Sequence, residues 1–328
     1  MKKNNLFFVY SPLQVINAIE AVHHFNCKNN TIIINYKPKQ SMNNNQMDDL
    51  VKYHKWDNII KLGKGDGRSK FLTYVKLIRS LKKEKYNYVF VAGFTSAIYT
   101  ILANLKKKRL FVFDDGVGTI AAYHKTFAPK KPMKLRLKHV RFWLFGIRTK
   151  FSDQVDLFTY FNLKSLPHVR VERNDLRWFR SNYTSKSNVD NSTYFLGLPH
   201  ENYENHEEYA KNLDAFFKTQ DQHIVYIPHR YEKIRKSLQK VFEKYNVEVR
   251  NLGMPVEMYF LTNRIIPKTV SGSGSSAFFT LSFLFPTTKY QSIYHICNKS
   301  EEGNMLKINE HLSDIGVEIL NFGEIINV

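Results

Sequence analysis

Short, almost wholly apolar runs recur along this chain, each set between segments of helical period. Leu6–Tyr10, Thr31–Asn35, Tyr88–Ala92 and Leu110–Phe113 form the first series. Thr193–Leu196 and Ile224–Ile227 form the second, with Val247–Val249 and Lys268–Val270 read as further short strands. Strands without a polar face are those covered on both sides, and their alternation with helices specifies a parallel sheet wrapped by helices. This pattern predicts an α/β fold of two Rossmann-like domains. The Asn-, Ser- and Lys-rich stretch Asn182–Asn191 reads as the linker, placing the domains at 1–185 and 186–328. In doubly wound sheets ligands sit outside the carboxyl ends of the strands, so a cleft between the two domains is the expected site.

The helices follow from local signals. Ser11-Pro12-Leu13-Gln14 supplies a hydroxyl at N-cap, proline at N1 and glutamine at N3, and Val15, Ile19 and Val22 continue the helical spacing. Helices are also expected over Phe71–Leu81, Ser96–Leu105, Glu207–Phe217, Ile234–Tyr245 and from Ala277 to Phe285. The polar tract Lys37–Asp49 is expected as loop or frayed helix.

Composition narrows the class. A hydrophobic fraction of 43% in 328 residues excludes a disordered polar chain. The basic Met1–Asn5 precedes an apolar run too short for a secretory signal, and Ala277–Pro286 is too short to span a bilayer. Cys27 and Cys297 stand far apart without neighbours at metal-ligand spacing, which suits a reducing compartment and a cytoplasmic protein. The net charge of +20 favours anionic partners. No helix-turn-helix, zinc-finger or Arg-Gly pattern accompanies it, so a nucleic-acid module is the class rival and not the leading reading. Lys130–Lys150 holds eight Lys/Arg, one His and no acid among Leu, Val, Phe and Trp. Such a segment can lie on an anionic membrane or grip a polyanionic acceptor, and a solvated helix packing its aromatic side inward explains it equally well.

Four segments could carry chemistry. Asp114-Asp115-Gly116 ends an inferred central strand: one carboxylate can hold the turn while the other serves as a general base. His229-Arg230 follows the strand Ile224–Ile227, where an imidazole and a guanidinium can bind a phosphate. Ser271-Gly272-Ser273-Gly274-Ser275-Ser276 runs into an apolar helix, so amides and hydroxyls converge at a helix N-terminus as in phosphate-binding nests. It lacks the Lys-Ser/Thr ending of a Walker loop, which argues against ATP hydrolysis. Glu257, in a predicted first helical turn, is either a capping carboxylate or a contact to ribose or base.

Taken in order, Asp114-Asp115-Gly116, His229-Arg230 and Ser275-Ser276 resemble the acidic-pair, His-Pro and Ser-Ser motifs of bacterial sialyltransferases. The nearest likeness is to the lipooligosaccharide sialyltransferase family and its capsule-assembly relatives. Tyr10-Ser11-Pro12-Leu13-Gln14, followed by Asn17-Ala18 and Glu20-Ala21, is similar to that family's first strand-helix junction. Arg230 departs from the family's proline. The resemblance implies a GT-B type glycosyltransferase that transfers sialic acid from CMP-N-acetylneuraminic acid to a terminal galactose, with inversion and without metal or other cofactor. It implies Asp115 as base, with His229 and Ser275-Ser276 on the donor phosphate. Asp114, Gly116, Arg230, Glu257 and Ser273 fall on the donor side, and Ser11, Pro12 and Gln14 on the acceptor side. Some relatives draw the base from the segment before the histidine strand, here Glu201, Glu204, Glu207 and Glu208, with Glu207 carried as the catalytic candidate. The implied partners are a nucleotide sugar and a glycan, and no nucleic acid. A transferase using another nucleotide sugar is the nearer rival, and a homodimer stays one option for the oligomeric state.

Overall fold

The computed structural model describes residues 3–38, 40–63, 67–93, 96–129, 137–151, 153–184, 187–198, 206–294 and 302–321. The chain divides into two compact units, Met1–Trp178 and Phe179–Val328.

The first unit runs β1 (Asn4–Val9), α1 (Pro12–His24), β2 (Asn30–Asn35), α2 (Ser41–Leu50), β3 (Asn58–Leu62), α3 (Gly67–Leu81), β4 (Lys85–Val91), α4 (Ser96–Leu102), β5 (Lys106–Phe113), α5 (Gly118–Ala122), β6 (Asp156–Thr159) and β7 (Val171–Arg173). Its sheet has seven parallel strands in the order β3-β2-β1-β4-β5-β6-β7. Phe7, Phe90 and Phe111 stack across three adjacent strands, with centroids 4.8 Å and 5.1 Å apart. Burial of each such side chain stabilises the unit by roughly 1.5–3 kcal/mol, and this row fixes the register on that face.

Helix α6 (Arg177–Tyr183) leads to the second unit, built from β8 (Asn188–Leu196), α7 (His206–Lys218), β9 (Ile224–Ile227), α8 (Lys236–Lys244), β10 (Glu248–Val249), α9 (Val256–Thr262), β11 (Ile265–Gly272), α10 (Ala277–Leu284), β12 (Lys289–Tyr294), α11 (Glu302–Ser313) and β13 (Glu318–Asn321). Its six parallel strands are ordered β10-β9-β8-β11-β12-β13. Phe195, Phe216, Phe217, Tyr226 and Phe242 form its core. Both orders reverse beside the first strand of the unit, at β1/β4 and at β8/β11, which is the topological switch point where such sheets bind ligands.

Three expectations are corrected. The division falls within α6, between 178 and 179, and not at 185/186. The expected linker 182–191 instead begins β8, because Asn188, Val189 and Asp190 pair with Ile265, Ile266 and Pro267 of β11. The polar tract after Lys37 contains the regular helix α2, whose Met47 and Leu50 are buried although most of its residues are polar. Strands β3, β6, β7, β12 and β13 carry too few apolar residues in sequence to stand out and are held by pairing.

Candidate functional site

Helix α1 organises the carboxyl ends of the first sheet. Its N-cap, Ser11, has the extended backbone of a cap but makes no side-chain capping bond. Gln14 takes over that role: its Oε1 accepts the Tyr10 N–H at 2.6 Å, one residue before the expected partner. Its Nε2 donates to Oδ1 of Asp115 at 2.6 Å. Gln14 is buried and so is Pro12, while Ser11 is half-buried. One N–H of the Gln14 amide is therefore engaged with Asp115.

One and two turns further along, Asn17 and Glu20 extend the same buried polar stripe. Asn17 Nδ2 donates to the Asp114 carbonyl at 3.1 Å and its Oδ1 accepts from Asn174 Nδ2 at 3.0 Å. Glu20 Oε2 accepts the Trp178 N–H at 3.2 Å. Buried polar groups of this kind are retained only when paired, and here the pairing locks α1 onto the end of β5, the segment after β7 and the helix Arg177–Tyr183.

The two adjacent aspartates take opposite environments. Asp114 is fully buried; Thr159 Oγ1 donates to its Oδ1 at 2.6 Å and the Tyr160 N–H to its Oδ2 at 2.9 Å. Burial pushes its carboxyl up to about 7, against the opposing pull of these bonds, of Thr119 and of the Arg173 charge. Both oxygens face protein partners inside the unit, so Asp114 pins the turn and is not placed as a donor-sugar contact. Asp115 is exposed, its N–H donates to Thr119 Oγ1 at 3.1 Å, and Gln14 holds one of its oxygens. Gly116 adopts φ +63°, a conformation that disfavours any side chain. The Asp-Asp-Gly turn thus directs one carboxylate inward and one outward.

In the second unit the loop after β9 is built around a carboxylate absent from the sequence reading. Glu232 Oε2 accepts the His229 N–H at 3.0 Å, and Oε1 accepts from the Tyr226 hydroxyl at 2.5 Å. Gly197, ending β8, makes room: a Cβ there would stand 2.0 Å from Glu232 Oε2. The His229 Nδ1 faces the Tyr231 N–H at 3.3 Å and must accept it, which leaves the ring proton on Nε2. Burial, and secondly the Arg230 charge, bring the imidazole down to about 4. His229 is accordingly a neutral Nε2–H donor near pH 7, and the exposed Arg230 carries the positive charge.

The serine segment closes β11 at the switch point. Gly272 packs against β8, where a Cβ would come 2.9 Å from the Leu196 carbonyl, and Gly274 turns the chain at φ +55°. Ser292 Oγ on β12 accepts the Gly274 N–H at 3.1 Å, anchoring the turn. Ser273 is buried, whereas Ser275 and Ser276 are partly exposed at the start of α10. Ser275 Oγ faces the Ala277 N–H at 3.3 Å. The N–H groups of Ser275 and Ser276 have no acceptor among the described residues. Strand ends two places apart, as β9 and β11 are, lie about 10 Å from one another, a span suited to a phosphate and its ribose.

Glu257 is buried in the first turn of α9, and its Oε1 accepts from the Thr280 hydroxyl of α10 at 2.6 Å. Burial raises its carboxyl. It ties α9 to the helix that carries the serine turn, so its evident part is to position α10 and not to meet base or ribose. Glu207 and Glu208 occupy the exposed first turn of α7, where negative charge suits the helix N-terminus. Glu201 and Glu204 lie outside the described residues, as do the parts of the basic block at 130–136. Among the described residues no three His, Cys, Asp or Glu side chains gather as a metal-binding group.

No family model matches the chain, and no curated protein matches its sequence. Solved structures do match its fold. An α/β-galactoside α-2,3-sialyltransferase from Photobacterium phosphoreum superposes with a TM-score of 0.54 at 11% identity, covering 98% of this chain and 99% of that one. UDP-GlcNAc 2-epimerase from Neisseria meningitidis, bound to UDP-GlcNAc, gives 0.54 at 13% identity over 100% and 90% of the two chains. Arabidopsis thaliana UGT89C1, complexed with UDP-L-rhamnose, gives 0.57 at 11% identity over 98% and 85%. The architecture is the two-Rossmann GT-B fold.

Proposed function

We propose that this protein is an inverting glycosyltransferase that moves sialic acid from CMP-N-acetylneuraminic acid to a terminal galactose of a bacterial surface glycan, lipooligosaccharide or capsule. The observation that carries the reading is the presence, around the β8/β11 switch point, of a neutral His229 Nε2–H donor and of the Ser275 and Ser276 amides, which find no acceptor among the described residues, at a helix start. These groups suit a phosphate whose negative charge grows as its bond to the sugar breaks, because donors fixed in advance need no reorganisation. Arg230 adds charge at the same strand end.

Asp115 supplies the remaining part. The galactose hydroxyl attacks the anomeric carbon, its proton passes to the Asp115 carboxylate, and the bond from that carbon to the phosphate oxygen breaks as CMP leaves. Gln14 holds Asp115 Oδ1, so Oδ2 is the oxygen that receives the proton. The choice of a sialyl donor rests on the ordered set Asp114-Asp115-Gly116, His229 and Ser275-Ser276 and its resemblance to the sialyltransferase motifs. It is supported in fold by the Photobacterium phosphoreum enzyme.

The test is a donor panel. The protein is incubated with CMP-N-acetylneuraminic acid, UDP-GlcNAc and UDP-galactose, each with and without a galactose-terminated acceptor. Acceptor-dependent release of CMP, with a sialylated product, is expected. Release of UDP instead, or epimerisation of UDP-GlcNAc without acceptor, overturns the sialyl assignment.

A further inference from the structure

Two basic segments of the first unit, far apart in sequence, meet along one aromatic seam. Phe71 of α3 packs on Phe142 and Phe145 of the 3₁₀ helix Leu137–Phe145, with centroids 4.8 Å and 5.3 Å away. Arg141 lies over the Phe71 ring at 4.2 Å and Arg79 of α3 over Phe145 at 5.9 Å. Helix α3 contains four Lys/Arg and no acid, as Lys130–Lys150 contains eight and no acid. In each segment an aromatic of the seam, half-buried Phe71 or buried Phe142, is followed directly by exposed apolar residues: Leu72 is 50% exposed, Trp143 58% and Leu144 86%. Around them Lys76, Arg79, Arg141, Arg148 and Lys150 are all exposed.

Aliphatic side chains this exposed are poorly placed in water, and a ring of cations about them has no acidic counterpart on either segment. We propose that this seam is a docking surface for an anionic phospholipid bilayer, with Leu72, Trp143 and Leu144 entering the headgroup boundary and the cations resting on lipid phosphates. Charge complementarity favours an anionic partner. The leucines favour lipid over nucleic acid, since a phosphodiester backbone gives Leu144 nothing to bury against, and indole rings prefer the bilayer interface. The proposal stands apart from the assignment of a sialyl donor. No helix among the described residues is long and apolar enough to cross a membrane, so the contact is peripheral.

The test uses the full chain with vesicles of phosphatidylcholine alone and of phosphatidylcholine with phosphatidylglycerol, read by co-sedimentation and by tryptophan emission. Trp56 is buried, which leaves Trp143 as the most exposed of the three tryptophans. Binding only to the anionic vesicles, with a blue shift of emission, is expected. The exposed double variant Leu72→Ser/Leu144→Ser should lower partitioning at least about tenfold, and Lys76→Gln/Lys150→Gln should weaken binding and flatten its loss with salt, both with unchanged melting temperature. Equal partitioning of the leucine variant and wild type overturns the proposal. So does tighter binding to duplex DNA than to anionic vesicles with no effect of the leucines, which would make the surface a polyanion site.

Discussion

Gln14 and Asp115, 101 positions apart, are joined by a 2.6 Å hydrogen bond from the Gln14 side-chain amide to the aspartate Oδ1. The other end of the same amide is fixed by the Tyr10 N–H, so the carboxylate is oriented by the first strand-helix junction of the fold. Replacing Gln14 by Ala should lower kcat at saturating donor by about tenfold, the loss of one hydrogen bond to a charged group. Gln14→Glu sets a second carboxylate against the first and should cost more. A shift in stability alone, with kcat unmoved, would make Gln14 purely structural.

Asp115→Asn preserves the size and the Gln14 contact but removes the proton acceptor. A fall of about 10²–10⁴ in kcat is expected, with CMP affinity by titration unchanged. Glu207→Gln and Glu208→Gln, on the exposed turn of α7, should stay near wild type. If Asp115→Asn keeps more than about a tenth of the activity while one glutamine variant collapses, the base lies before β9, contrary to the general-base assignment.

Asp114 makes the first unit respond to pH in an unusual sense. Its folded carboxyl titrates at about 7, whereas an unfolded aspartate titrates near 4. Between these values the folded state binds the proton and the unfolded state does not, so this group's contribution to stability falls as pH rises through the window. Asp114→Asn should therefore flatten the fall of melting temperature between about pH 4 and 7. His229 acts in the opposite sense: with its imidazole lowered to about 4, it favours the folded state more as pH rises from there to about 6.5. The check is thermal unfolding of wild type and both variants, Asp114→Asn and His229→Asn, across that range. A steeper slope in Asp114→Asn than in wild type, of the same sign, contradicts the assignment.

Ser275→Ala with Ser276→Ala removes two hydroxyls from the start of α10 but leaves the amides. CMP binding measured by calorimetry should weaken by roughly 1–3 kcal/mol, with the fold intact. Unchanged affinity would remove the hydroxyls, though not the backbone, from phosphate recognition.

Gly197→Ala probes the support of His229 without touching it. Its methyl would collide with Glu232 and with the Tyr226 hydroxyl, 2.7 Å away, forcing the carboxylate off the His229 N–H. A destabilisation of about 1–3 kcal/mol is expected, together with weaker CMP binding. Retention of both stability and affinity would show that the loop tolerates loss of Glu232, and Glu232→Gln, which keeps the shape, should then be silent as well.

The strands legible in the sequence were those buried on both faces, such as Leu6–Tyr10 and Ile224–Ile227, because continuous apolar runs need no partner to be seen. The glycine turns after β5 and β11 were legible for a similar reason: a local backbone requirement leaves a local residue signature. Those features established the two Rossmann-like units and pointed to Asp114-Asp115-Gly116, His229 and the serine segment. What tertiary structure alone decided is which of two adjacent aspartates is buried, since that depends on Thr159 and Tyr160 arriving from β6. It likewise decided that Glu232 supports His229, that Glu257 turns to Thr280, and that α3 meets Leu137–Phe145 through Phe71. The stripe Gln14, Asn17 and Glu20 stood in plain view at three-residue spacing within an apolar helix. Its partners did not, because a hydrogen bond between residues 101 positions apart leaves no periodicity in either segment.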